Sequence, residues 1–189
     1  MIELGSIGQT VIRWQANPRV LQFVCKADVD ADGGPDAYTM DNTGLDDLDD
    51  LHQGNDWYCP KNSATGLPYI QGQDGIGPSP CHLVSSTSLQ DPQFPVNDTR
   101  RYQNAQTVNF IVLPEHFAQN ANLPIAPKLG ARCLVVNLRN GLYAAGIFAD
   151  EGPPDSIGEL SIAYARALCI PDSPRNGGQD DDVLYLVYC

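Results

Sequence analysis

The sequence predicts a single mainly-β domain with a few helices, and three observations predict it. Short apolar runs rich in Val, Ile, Leu, Phe and Tyr recur between polar segments, as strands separated by turns do. Fifteen prolines and seventeen glycines punctuate the chain too often for a helical bundle. The 189 residues are 42% hydrophobic, enough for one substantial core and too few for two comfortable ones, so residues 1–189 read as one domain.

Taken in order, TVIRWQ (Thr10–Gln15) is a short strand whose Trp14 belongs to the core, and VLQFVCKAD (Val20–Asp28) is a stronger one. TGLDDLDDLH (Thr43–His52) reads as a short acidic helix with Leu45, Leu48 and Leu51 inward. From Asp56 to Pro80 the chain is rich in Gly, Pro, Asn and Gln, a long surface loop that Cys59 and Cys81 are placed to tie down. CHLVSST (Cys81–Thr87) and VNFIVLP (Val108–Pro114) are strand candidates. In ARCLVVNLRNGLYAAGIFA (131–149) two β-prone runs flank Asn140-Gly141, which predicts a hairpin with a type I′ turn. From Ile157 the spacing of Ile157, Leu160, Tyr164 and Leu168 predicts a helix that Pro171 stops. A last strand, Asp181–Cys189, follows the turn-forming PRNGGQDD.

Net charge is −12, from 11 Lys+Arg against 23 Asp+Glu, which argues against a nucleic-acid partner and for a cationic one. No run approaches the ~18 apolar residues of a membrane span, so no membrane partner is expected. Six cysteines at scattered positions, with no C-x-x-C pair and no clustered histidine, read as disulfides in an oxidising compartment, secreted or periplasmic; the alternative is buried free thiols. Met1–Thr10 lacks a basic and apolar leader, so the expectation is either a removed signal or another export route. Asn97-Asp98-Thr99 is a glycosylation sequon for a eukaryotic secretory pathway.

No G-x-S-x-G, Walker loop, dinucleotide fingerprint or H-E-x-x-H occurs. Asp28-Val-Asp30-Ala-Asp32-Gly33 matches the first half of a calcium loop, but Thr39 stands where the bidentate Glu belongs, so a calcium site is the lesser reading and these aspartates otherwise shape a turn or line a cleft. Neither metal nor cofactor is expected.

FADEGPPDSIGELSIAYARAL places Asp150 at a strand end and Glu159 at a helix start, joined by one Pro-rich loop. Two carboxyls facing one cleft are what glycoside hydrolysis needs. The same residues also fit a turn at Asp150 and a Ser156-x-x-Glu159 capping box. A helix dipole would favour charged Glu159, which points to Glu159 as base and Asp150 as acid, while burial of Glu159 would reverse the two roles.

The segment from Gly141 to Cys189, with a strand ending in Ala-Asp, then Gly-Glu-Leu-Ser-Ile and a closing Val-Leu-Tyr strand, resembles the chitosanases of glycoside hydrolase family 75. KADVDADGGPDAY (Lys26–Tyr38), VSSTSLQDP (Val84–Pro92) and RYQNAQTVNFIVLP (Arg101–Pro114) resemble its Asp-rich and central segments. The resemblance covers about Cys25 to Tyr188, and the Asp150–Glu159 loop is shorter than in fungal members. It implies Asp150 and Glu159 as the catalytic pair, an inverting endo-acting mechanism on chitosan, and a β-barrel related to the double-psi type. Asp28 and Asp30 are candidates for the substrate's ammonium groups, and Trp57, Tyr58 and Tyr69 for sugar stacking. The competing readings are a peptidoglycan glycan-strand hydrolase, as in an antibacterial effector, and a non-catalytic carbohydrate-binding protein.

Overall fold

A computed structural model describes residues 1–48, 58–115, 117 and 126–189. The strands are β1 (Ile2–Ile7), β2 (Thr10–Ala16), β3 (Arg19–Asp30), β4 (Phe110–Pro114), β5 (Arg132–Asn137), β6 (Tyr143–Gly152), β7 (Glu159–Ser161) and β8 (Gln179–Tyr188). The one regular α-helix among the described residues is α1 (Ile162–Ala167). Six strands close a barrel in the order β3-β7-β4-β6-β5-β8, with β8 returning to β3, and β1–β2 extend the sheet beyond β3. Closure leaves the barrel no unpaired edge. Two pairs, β3–β7 and β4–β6, are parallel and the others antiparallel.

Period-2 alternation sorts the strands' side chains between two faces. On β4, Ile111 and Leu113 enter the main core inside the barrel, while Phe110 and Val112 join Ala105 and Ala149 in a smaller cluster outside it. Inside, Phe23 on β3 and Tyr185 on β8 are register partners with stacked rings 4.9 Å apart. Trp14 is buried, as expected. The described residues of the long excursion between β3 and β4 hold isolated bridges and one 3-10 turn, Thr99–Arg101; Tyr38, Cys59 and Leu83 pack with the main core, and Leu89 and Ala105 with the smaller cluster.

Several local expectations are corrected. The helix starts at Ile162, not Ile157, because Glu159–Ser161 pairs with both β3 and β4 and strand pairing wins. Ser161 is the N-cap, accepting the Tyr164 N–H at 3.3 Å, so the Ser156/Glu159 capping box does not form. The β5–β6 hairpin exists, but only Gly141 of the Asn140-Gly141 pair has positive φ, and the Gly141 N–H closes a wider turn onto the Asn137 carbonyl at 2.8 Å. Residues 43–48 are irregular, bound by the Arg175 guanidinium, which donates to Asp47 and to the Gly44 and Asp46 carbonyls; the remainder of that expected helix lies outside the described residues. Cys81–Thr87 forms no regular strand: Cys81 is a turn residue with φ +71°, and only His82 and Leu83 make isolated bridges.

All six cysteines are free, so the expected disulfide framework does not form. Cys59 and Cys133 are buried in the core, where a thiol packs as a small apolar group. Cys81, the proposed partner of Cys59, is exposed. The long loop is instead held by Gln71, whose buried amide donates to the Pro35 and Leu83 carbonyls at 2.7 and 2.9 Å and accepts from the Ser79 N–H at 3.1 Å.

Candidate active site

Val112 on β4 is the register partner of Asp150 on β6 and of Glu159 on β7. Partners in register share a face, so three adjacent strands present Asp150, Val112 and Glu159 in a row. With about 4.8 Å per strand, the two acids' Cα atoms stand about 10 Å apart.

The row exists because β6 carries an irregularity. Its register against β4 advances from Ile111↔Phe148 to Val112↔Asp150, skipping Ala149. Strict alternation from Phe148, which faces the core, would turn Asp150 inward; the extra residue places Ala149 and Asp150 on the outer side together. The Ala149 carbonyl accepts the Leu89 N–H at 2.8 Å, which fastens the covering segment to the bulge.

Between barrel and cover lies a cleft of about 260 Å³, lined by Asp30, Asp32, Tyr58, Ser88, Asp150 and Glu159 together with neighbouring residues. Asp150 Oδ1 accepts the Ser88 N–H at 2.8 Å, the Ser88 hydroxyl at 2.7 Å and the Glu151 N–H at 2.9 Å. Burial pushes the Asp150 carboxyl up to about 6 even against those donors. Burial, reinforced by the charges of Asp28 and Asp150, pushes Glu159 up to about 7. Gly158 just before it has φ +98°, and a side chain there would meet the Cys25 sulfur and the Lys26 carbonyl at 2.6 Å. Glu159 is not at a helix N-terminus, so the dipole argument for its charged form falls.

Asp30 is buried. Its Oδ1 accepts the Asp32 N–H at 2.6 Å, while Oδ2 is enclosed without a hydrogen-bond partner. Burial, then the charges of Asp32, Glu159 and Asp150, raise its carboxyl well above the usual range. Asp32 Oδ1 accepts the Tyr38 hydroxyl at 2.9 Å and the Ser85 hydroxyl at 3.1 Å, and burial followed by the Asp150 charge raises it too.

Of the residues singled out from the sequence, the cleft brings together Asp150, Glu159, Asp30 and Tyr58. Asp28 is the register partner of Glu159 but is exposed, ion-paired with Lys26, and does not line the cleft. Tyr69 is half-buried elsewhere, and Trp57 lies outside the described residues. Sequence reasoning gave Asp32 no specific role and missed Ser88. Asp32 carried a signal, since it alternates with Asp30 in the D-x-D-x-D run; Ser88, far along the chain from Asp150, carried none.

No curated protein matches the chain. The profile described as fungal chitosanase of glycosyl hydrolase group 75 matches residues 27–189. That span contains every acid of the cleft, and on it this chain belongs to the group 75 chitosanase family and is a glycoside hydrolase.

Proposed function

We propose that this protein is an endo-acting chitosanase that cleaves β-1,4 bonds with inversion, Glu159 acting as general acid and Asp150 as general base. The observation that carries this reading is the row Asp150–Val112–Glu159, which holds two carboxyls across one cleft with a strand between them. An inverting pair needs about 6.5–9.5 Å between carboxyls to admit a water, and a two-strand spacing suits that better than adjacent strands do. Glu159 receives no hydrogen bond from the described residues and has the higher carboxyl of the pair, as an acid needs. Asp150, with three donors on Oδ1, holds its charge more readily and presents its other oxygen to a water. Glu159 gives its proton to the leaving glycosidic oxygen. The water attacks the anomeric carbon from the opposite face and yields its proton to Asp150. Exchange with solvent then restores both groups.

Asp30 and Asp32 supply the preference for glucosamine. An ammonium group gives the partnerless Asp30 Oδ2 a charged donor, whereas the acetamide of an N-acetylated sugar offers only a neutral one. This favours chitosan over peptidoglycan. Family membership is also the support for an extracellular site of action, since the free cysteines withdraw the disulfide argument. The test is proton NMR of the first products from chitosan. Inversion gives the α-anomer at the new reducing end. A β-anomer excludes this pair of roles, and release of muropeptide-bearing disaccharides with chitosan untouched excludes the substrate.

A further inference from the structure

Asp30, Asp32 and Asp150 each offer a carboxylate oxygen lying within 4.8 Å of the other two. Their other contacts share a pattern. In each residue Oδ1 is anchored by protein donors: the Asp32 N–H on Asp30, the Tyr38 and Ser85 hydroxyls on Asp32, and Ser88 with the Glu151 N–H on Asp150. No described residue donates to any of the three Oδ2 atoms. Asp30 is 5% exposed, and its Oδ2 is sealed from solvent with no partner, which is costly for a carboxylate unless something positive meets it. Acids fixed through one oxygen, with no protein donor on the other, are oriented as the ligands of a metal ion are oriented by their outer-shell partners.

We propose that Asp30, Asp32 and Asp150 form a calcium-binding cage in the substrate-free enzyme, and that the ion occupies the position taken by a glucosamine ammonium during hydrolysis. The ligands are hard oxygens, and a spread of up to 4.8 Å suits Ca²⁺, with bonds of about 2.3–2.6 Å, better than Mg²⁺ at about 2.0–2.1 Å. Water fills the remaining positions from the open side of the cleft. The site is not the helix–loop–helix type that the Asp28–Gly33 run half matches. Asp28 turns out to Lys26, and the third carboxylate comes from Asp150, on another strand. Binding of the ion is independent of the hydrolytic reading; its competition with chitosan rests on that reading.

The test begins with metal-stripped full-length enzyme titrated with CaCl₂ by calorimetry. In parallel, Tb³⁺ is followed by tyrosine-sensitised emission, for which Tyr58 in the cleft and Tyr38 on Asp32 are placed. One saturable ion per chain is expected, with Ca²⁺ displacing Tb³⁺. Asp30→Asn and Asp32→Asn should each weaken binding at least tenfold, and the exposed control Glu3→Gln should leave it unchanged. No saturable site, or affinity unaltered in folded Asp30→Asn and Asp32→Asn, overturns the cage. Should those variants not fold, the wild-type enzyme decides: a glucosamine oligomer must displace Tb³⁺, and emission indifferent to it overturns the shared position. In chitosan hydrolysis Ca²⁺ should raise apparent KM with kcat unchanged, and a fall in kcat alone would place the ion elsewhere. The binding arms need no turnover, so their outcome stands apart from that of the chitosanase reading.

Discussion

Val112 separates the two acids, and under the proposed mechanism their differing surroundings give them different roles. Asp150→Asn and Glu159→Gln should each lower kcat by about 10²–10⁴-fold in a protein that still folds, because each removes one proton-transfer partner and keeps its shape. Activity against pH should be bell-shaped. It rises as Asp150 ionises near about 6 and falls as Glu159 loses its proton near about 7. Asp28→Asn removes a negative charge that raises Glu159, so the falling limb should move to lower pH with little change in KM. The same shifts bear on stability. Both folded values lie above those of the unfolded chain, so the fold retains protons that the unfolded chain has released between roughly pH 4 and 7. Stability is therefore full below that window and falls as pH rises through it. Glu159→Gln should stabilise the fold at pH 8 by on the order of 1–3 kcal/mol, seen as a higher Tm, and leave it nearly unchanged at pH 4. A thermal melt series across pH checks the sign.

At the scale of elements, the site depends on a bulge and a three-residue strand. The bulge at Ala149 turns Asp150 out of the core, and β7 carries Glu159 between β3 and β4. Gly158→Ala forces a side chain to positive φ and against Cys25 and Lys26. Thermal unfolding should show a loss above about 2 kcal/mol, as strain and overpacking combine. Ser161 joins three elements. Its hydroxyl donates to the Val108 carbonyl at 2.7 Å and accepts the Phe110 N–H at 3.1 Å, besides capping α1. Ser161→Ala should cost about 2–3 kcal/mol in denaturant unfolding, the sum of a lost cap and an unsatisfied buried group. Neither feature was legible in the sequence. Residues 157–168 have helical spacing, and only the neighbouring β3 and β4 convert their start into a strand.

For the whole molecule, a closed six-stranded barrel supplies the core, and the six cysteines add no cross-link to it. Thiol titration of the denatured, unreduced protein should therefore find six free thiols, and fewer would mean that pairing has occurred. The net charge of −12 acts beyond the cleft, drawing a polycation by a screened attraction. KM for chitosan should rise with added salt while kcat holds, and a salt-independent KM would assign affinity to short-range contacts alone.

The β class and most strand positions were legible in the chain alone, because apolar alternation is local, and short motifs there singled out Asp150 and Glu159 as the pair now proposed to be catalytic. Only the tertiary structure decided which acids meet. Asp28 and Asp30 are two residues apart, yet one pairs with Lys26 at the surface and the other is sealed in the cleft. Asp32 and Asp150 are far apart in the chain and close in space. The roles proposed for Asp150 and Glu159 likewise rest on long-range burial and on donors such as Ser88, since a carboxyl's proton affinity is set by what surrounds it in space.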